Sequence, residues 1–179
     1  MNLRTAEFTA LRRAISARGT TRIVIALTSI AIWAVLTVAL VLLSDLPLAV
    51  LVPFAVLVGG FEAVHALHVG VERIGRYVQV YYEDGPDAPQ WETAAMAVGP
   101  ALPGGGVDPL FSAVFIGAAA LNVAAAIPVA PIWQELAFLG VCHGALVIRI
   151  VRARMAAARQ RAIELESFKA VLLRQRDRG

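Results

Sequence analysis

Residues 23–43 read IVIALTSIAIWAVLTVALVLL, a run of 21 residues without a single charge. As an α-helix, a run of this length covers roughly 30 Å, which is the thickness of the hydrocarbon core of a bilayer. The composition of the whole chain agrees, since 59% of its 179 residues are hydrophobic and the mean hydropathy is +0.71. Soluble domains are closer to half apolar. The sequence therefore predicts an integral membrane protein.

Three further apolar runs follow, at residues 46–61, 109–128 and 132–148, and only Glu135 interrupts the last of them. They predict an all-α, polytopic membrane protein with four transmembrane helices in two hairpins and a cytoplasmic C-terminal helical extension. A cleaved signal peptide is the alternative interpretation of the first run. Five arginines and an amphipathic segment precede that run, however, and no small-residue cleavage site follows it, so we interpret it as a span.

The positions of the cations predict the orientation. Of the sixteen lysines and arginines, five precede the first span, two lie between the second and third, and nine follow the fourth. Because cytoplasmic segments carry the excess of positive charge, we expect both termini on the cytoplasmic side of the membrane. The expected location is a bacterial inner membrane. The predicted segments are an amphipathic N-terminal segment (1–21), a first span (22–44), a second span with a cytoplasmic extension (46–82), a cytoplasmic loop (83–108), a third span (109–128), a fourth span (131–152) and a helical tail (153–179).

Two cytoplasmic segments carry further expectations. The N-terminal segment fits either a short helix lying on the anionic inner leaflet or a solvated start of the first span. The tail lacks glycine and proline from residue 149 to residue 176, so the fourth helix should continue into it. Its Leu165, Phe168 and Leu172 have coiled-coil spacing, which favours a homo-oligomer, but Arg161 occupies the preceding position of that seam.

Small side chains dominate residues 112–126 of the third span. They let helices approach closely in lipid, so this helix should pack inside the bundle or at a subunit contact. Asn122 within it should hydrogen-bond to a neighbouring helix. The single cysteine, Cys142, excludes a disulfide within one chain.

A stripe of polar residues raises the main functional question. In GFEAVHALHVGVERIGRY, residues 60–77, five polar side chains share roughly one third of the helix circumference. They are Glu62, His65, His68, Glu72 and Arg76. Exposure of such a stripe to lipid is costly, so it should face other helices or a hydrated cavity.

Two interpretations of this stripe compete. In the first it is structural, with Glu72 paired to Arg76 one turn further on and the nearby tyrosines in an interfacial belt. In the second, Glu62 and His65 form the Glu-x-x-His pair that di-metal four-helix bundles use, although the sequence lacks the second such pair. The candidate metal ligands are Glu62, His65, His68, Glu72 and His143, with Arg73, Arg76, Asn122 and Glu135 as supporting polar residues.

A possible internal repeat favours a shared site. Pro53, His65 and Arg76 have the same spacing as Pro131, His143 and Arg154. Parallel repeats related by an axis along the membrane normal would bring the two imidazoles to face each other. Imidazole and carboxylate suit a transition metal or proton transfer, and two facing imidazoles could ligate a b-type haem.

The leading hypothesis is an intramembrane Glu/His site that handles a transition-metal ion or protons, in transport or sensing. One alternative is a non-catalytic membrane subunit or scaffold that acts through helix packing and its tail, and another is a haem-binding bundle.

Motifs for phosphate binding, paired cysteines and a nucleophile elbow are absent from the sequence, which disfavours an enzyme. The expected partners are the lipid bilayer and a second copy or another membrane protein. Nucleic acid is not expected, because topology accounts for the basic residues.

Overall fold

The computed structural model describes residues 2–83, 88–98 and 109–177. Within these ranges the chain is helical and contains no strand, so the all-α prediction is confirmed. Most of the predicted loop, residues 84–87 and 99–108, lies outside the described residues. The helices are α1 (Leu3–Leu43), α2 (Leu51–Tyr82), α3 (Trp91–Val98), α4 (Pro109–Ala124) and α5 (Trp133–Arg176), with 3₁₀ turns at Pro47–Val50 and Ile127–Val129.

Four helical segments are long and apolar enough to cross a membrane: Leu3–Leu43, Pro47–Tyr82, Leu110–Val129 and Trp133–Ala157. The prediction of four such helices is confirmed. The N-terminal segment and the first apolar run form one continuous helix of 41 residues, and both interpretations of the segment stay predictions. Similarly, α5 continues without a break for 44 residues, through the whole described tail.

The chain divides into two compact units, each of which draws on α1, α2 and α5. The first, here called the span unit, comprises residues 22–65 and 109–153. The second, here called the ion-pair unit, comprises the described parts of residues 1–21, 66–108 and 154–179. Few charged residues occur in the span unit: Arg22, Asp45, Glu62, Glu135, Arg149 and Arg152.

All four long helices contribute to the core of the span unit. Trp33 of α1, Leu57 of α2, Phe115 of α4 and Leu146 of α5 are all buried in it. The small side chains of Ala118 and Ala119 in α4 are buried there too. Small residues at buried positions bring helix backbones close together, which is the main source of packing energy in lipid.

The helices α1 and α2 approach each other closely at Gly60. A Cβ added there would fall 2.5 Å from the Cβ of Ser29, much closer than van der Waals contact. Only a residue without a side chain allows this contact. At the preceding position, Gly59, an added Cβ would meet nothing within 4 Å.

We expect Gly60→Ala to lower the free energy of unfolding by roughly 1–3 kcal/mol, because the added methyl group forces α1 and α2 apart. Gly59→Ala is the matched control. It should leave stability unchanged or raise it by up to about 1 kcal/mol, through the better helix propensity of alanine. Thermal unfolding of the purified protein in detergent measures both, and equal melting temperatures for the two variants would contradict the close packing.

Glu135 has a local role at the start of α5. Its Oε2 accepts a hydrogen bond from the backbone N–H of Ile132 at 3.0 Å. A carboxylate in the first turn satisfies a free amide and interacts favourably with the positive end of the helix dipole. Glu135 was predicted as a supporting polar residue, and the structure shows it capping its own helix.

Candidate functional site

A network of buried polar side chains centred on Asn122 links the helices of the span unit. Asn122 of α4 is fully buried. Its Oδ1 accepts a hydrogen bond from the indole Nε1 of Trp33 in α1, at 3.0 Å. Its Nδ2 donates to the carbonyl oxygen of Val50, before α2, and to Nε2 of His143 in α5, each at 2.9 Å. One amide thus bonds to three other helical segments.

The hydrogen-bond partners of Asn122 determine which ring nitrogen of His143 carries the proton. An indole N–H can only donate and a carbonyl oxygen can only accept, so the orientation of the Asn122 amide is fixed. Nε2 of His143 must therefore be the acceptor, and Nδ1 carries the proton that it donates to the Leu139 carbonyl oxygen at 2.7 Å. Both ring nitrogens are occupied by these bonds. The neutral imidazole consequently offers no lone pair to a metal ion or to haem iron while this network is intact.

Glu62 and His65 lie in the span unit, one turn apart on α2. Oε2 of Glu62 accepts a hydrogen bond from Nη2 of Arg149 in α5 at 2.8 Å, and both side chains are about half exposed. The imidazole of His65 stacks on Phe61, with ring centroids 5.8 Å apart. The guanidinium of Arg149 also lies over the Phe61 ring, at 5.8 Å from its centroid. An arginine from α5 therefore neutralises the predicted carboxylate ligand.

The polar stripe continues into the ion-pair unit as a cluster of five charged side chains, here called the charge cluster. Its members are Glu72, Arg73 and Arg76 of α2 with Arg161 and Glu164 of α5. Arg76 bonds to Oε2 of Glu72 at 3.0 Å and also pairs with Oε2 of Glu164. Arg73 reaches Oε1 of Glu164 at 3.1 Å, and Arg161 reaches Oε2 of Glu72 at 3.3 Å. The predicted pairing of Glu72 with Arg76 is confirmed.

The burial of Arg76 makes this cluster sensitive to the loss of the carboxylates that pair with it. The Arg76 side chain is only 5% exposed, and a buried charge is costly unless an opposite charge compensates it. Burial by itself would raise the pKa of Glu164. Hydrogen bonds from Gln160 and Arg73, together with the positive charges of Arg76 and Arg73, outweigh that effect and lower the pKa. Glu164 is therefore ionised at neutral pH and holds α5 against α2.

The five candidate metal ligands are distributed over both units. Glu62, His65 and His143 belong to the span unit, whereas His68 and Glu72 belong to the ion-pair unit. Among the described residues, no group of three histidines, cysteines, aspartates or glutamates is placed to hold a metal ion. The α2–α5 contact that such a site requires is present in each unit. The metal site itself stays a prediction.

A carboxylate that the sequence analysis did not single out organises α3. Oε1 of Glu83 accepts a hydrogen bond from the backbone N–H of Glu92, and Oε2 accepts from the N–H and the hydroxyl of Thr93, all at 2.7 Å. This is N-terminal capping by a residue distant in sequence, which compensates the positive end of the helix. The cap lies just beyond α2, where the sequence shows only an acidic stretch before a turn.

Glu92 attaches α3 to the rest of the ion-pair unit. It pairs with Arg12 of α1 at 2.8 Å. Its carboxylate also lies against Gly75 of α2, where an added Cβ would come within 2.9 Å of Oε2. Burial raises the pKa of Glu92, and the charges of Glu83 and Glu72 add to this, in opposition to Arg12.

Comparison with known proteins gives no relative from which to transfer a function. No protein-family model matches the chain. No curated protein and no solved structure matches it significantly. The function must therefore be argued from the geometry of the two units.

Proposed function

We propose that this chain is a non-catalytic scaffold of the bacterial cytoplasmic membrane, with both termini and the ion-pair unit in the cytoplasm. The observation that carries the proposal is the charge cluster. Its acidic and basic groups pair with one another between α2 and α5, as in a structural clamp. The ion-pair unit would then present a preassembled helical surface to the cytoplasm, and the span unit would anchor it.

The charge distribution supports this orientation. The 3₁₀ turns Pro47–Val50 and Ile127–Val129 contain no cation. The ion-pair unit, in contrast, contains most of the arginines, including those of the charge cluster. Segments rich in lysine and arginine next to spans are retained on the cytoplasmic side.

We further propose that the scaffold self-associates through one face of α5. Gly140 and Gly144 lie four residues apart on this helix, and a Cβ at either would meet nothing within 4 Å. Ala137, on the same side of the helix at 100° per residue, is exposed. Two glycines at this spacing in an apolar helix allow a second helix to approach closely in lipid. The partner proposed for this face is a second copy of the chain.

Cysteine cross-linking in membranes tests the self-association. Cys142 is the single native cysteine, so Ala137→Cys in a Cys142→Ala background places one thiol on the proposed face. Oxidation should give a covalent dimer, and adding Gly140→Leu with Gly144→Leu should reduce it to background. Gly117→Leu is the matched control, because Gly117 of α4 is equally open. The absence of a covalent dimer would refute this partner. So would a dimer that the Gly140→Leu, Gly144→Leu double variant preserves as well as the Gly117→Leu control does.

Handling of a metal ion or of protons at Glu62 and His65 is the second candidate function. The observation that favours it is that both groups lie in the span unit, one turn apart, and that Glu62 is 44% exposed in spite of its bond to Arg149. A carboxylate with this much exposure can exchange its partner. Three measurements test this function: metal content, the haem absorption band, and proton flux in proteoliposomes. A signal in any of them that the double variant Glu62→Ala with His65→Ala removes would favour it. If the wild-type protein shows no bound metal, no haem band and no proton flux, the scaffold remains the favoured function.

A further inference from the structure

The ion pair between Glu62 and Arg149 lies at the surface of the span unit and leaves hydrogen-bonding capacity unused. A single bond joins the two side chains, from Nη2 of Arg149 to Oε2 of Glu62 at 2.8 Å. Arg149 is 43% exposed and Glu62 is 44% exposed. Among the described residues, neither side chain makes a second hydrogen bond. Oε1 of Glu62 and the other N–H groups of Arg149 are therefore available to a group outside the protein.

Both residues lie near the same boundary of the membrane-spanning segments. On α5, Arg149 lies roughly 24 Å along the helix from its first residue, Trp133. In the second span, about 8 Å of 3₁₀ turn (Pro47–Val50) and about 16 Å of α2 precede Glu62, which gives the same depth. The hydrocarbon core is roughly 30 Å thick, and a long side chain such as arginine extends from this depth to the headgroups.

Arg152 adds a second guanidinium, one turn beyond Arg149 on α5. It belongs to the span unit, is exposed and, within the part of the chain that the structure describes, forms neither an ion pair nor a hydrogen bond. At 100° per residue the two arginines lie about 60° apart around the helix, so both can contact one group. A charged side chain at this depth needs such a group, because contact with acyl chains is costly.

These three side chains match a ligand that carries a phosphate beside a cation. Guanidinium groups bind phosphate oxygens through paired hydrogen bonds, so Arg149 and Arg152 favour a phosphate. The carboxylate of Glu62, next to Arg149, only accepts hydrogen bonds and favours an ammonium group adjacent to that phosphate. We propose that the α2–α5 face of the span unit binds the headgroup of a phosphatidylethanolamine lipid. Its phosphate contacts the two arginines, and its ammonium group contacts Glu62.

The surroundings keep this site formed and open. The guanidinium of Arg149 lies 5.8 Å from the centroid of the buried Phe61 ring, which holds it beside α2. Arg149 is also about half a turn around α5 from Gly140, so a second copy on the proposed glycine face would not cover it. In the orientation proposed above, the lipid belongs to the cytoplasmic leaflet.

Native mass spectrometry of the full chain in detergent tests the site with three lipids of identical acyl chains: phosphatidylethanolamine, phosphatidylglycerol and phosphatidylcholine. Phosphatidylethanolamine should bind most tightly. The glycerol headgroup lacks the ammonium, and the trimethylated choline cannot donate a hydrogen bond to Glu62. Soluble phosphoethanolamine should not displace the lipid, because it lacks acyl chains to contact the apolar helices. Displacement would overturn the assignment of a lipid.

Two variants separate the phosphate contact from the ammonium contact. Arg152→Ala removes a side chain that the described protein does not use, so the melting temperature without lipid should stay unchanged. Binding of phosphatidylethanolamine should weaken about fivefold. Glu62→Gln keeps an acceptor for Arg149 but removes the negative charge, so it should abolish the preference for phosphatidylethanolamine over phosphatidylglycerol.

Arg154→Ala is the matched control. Arg154 is exposed, makes no bond among the described residues and lies about 200° around α5 from Arg152, so this variant should bind phosphatidylethanolamine like the wild type. Equal weakening by Arg152→Ala and Arg154→Ala would reveal a general attraction and refute the site. Equal binding of the three lipids by the wild type would refute it too. Tighter binding of phosphatidylglycerol than of phosphatidylethanolamine would overturn the assignment of the headgroup.

Discussion

Replacement of Asn122 by alanine is expected to destabilise the protein by roughly 2–4 kcal/mol, more than any other single change in the span unit. The substitution leaves the Trp33 N–H, the Val50 carbonyl and Nε2 of His143 without their partner. Each buried polar group that loses its bond costs about 1–3 kcal/mol in proteins generally. The average measured in membrane helices is closer to 0.6 kcal/mol, which is why the expected total stays modest.

Unfolding in detergent, by heat or by SDS, measures this loss. Trp33 is also a local probe, since it is 9% exposed whereas Trp91 and Trp133 are 65% and 74% exposed. Its emission should shift to longer wavelength in Asn122→Ala. Leu121→Ala is the control, because Leu121 precedes Asn122 on α4 and is 63% exposed. Equal stability of Asn122→Ala and Leu121→Ala would show that the network does not hold the helices together.

The second large effect is expected for Glu164→Gln, which removes one negative charge from the charge cluster and keeps the shape of the side chain. Arg76 would retain only Glu72 as a counter-charge while it stays buried. Removal of one member of a buried ion pair costs about 3–5 kcal/mol, and we expect roughly 2–4 kcal/mol here because Glu72 remains. The end of α5 should then detach from α2.

Limited trypsin digestion reports this detachment, since the part of α5 beyond the span carries cleavage sites at residues 159, 161, 169, 174 and 176. Glu164→Gln should accelerate cleavage at these sites. Glu166→Gln, two residues further on the same helix and exposed, should not. Identical cleavage rates for the two variants would mean that the charge cluster does not hold α5 in place.

The lowered pKa of Glu164 also predicts a pH dependence. A carboxyl whose pKa is lower in the folded than in the unfolded chain binds fewer protons when folded. Its contribution to stability is therefore complete above the unfolded value, about 4.5, and is lost as the pH falls through the lower folded value. Acidification below pH 4.5 should destabilise the wild type more than Glu164→Gln. Parallel stability curves would contradict the assignment.

Hydropathy predicted the four apolar helices well, because a run such as residues 23–43 is sufficient to define a span without knowledge of its neighbours. The continuity of α1 was left open. Between its amphipathic start and its apolar run there is no proline, and the single glycine is Gly19. Helix propagation through such a stretch is favourable once the apolar part is formed.

The contacts of the polar residues could not be predicted in the same way. Helical periodicity shows which residues share a face, and it placed Glu62, His65 and Glu72 on one stripe. It does not show which residue of another helix lies opposite. Arg149 was counted only as a cytoplasmic cation, yet it pairs with Glu62. Likewise, Glu164 lies 88 residues from Arg76 in sequence, and no local pattern links them.

The length of α4 has a consequence for the lipid around the protein. Its α-helical part ends after 16 residues, about 24 Å, and the 3₁₀ turn Ile127–Val129 completes the apolar segment Leu110–Val129 of 20 residues. A 3₁₀ turn rises about 2.0 Å per residue instead of 1.5 Å, so the segment reaches slightly further than an α-helix of the same length. A bilayer with roughly 30 Å of hydrocarbon should therefore accommodate it without compression of the acyl chains beside it.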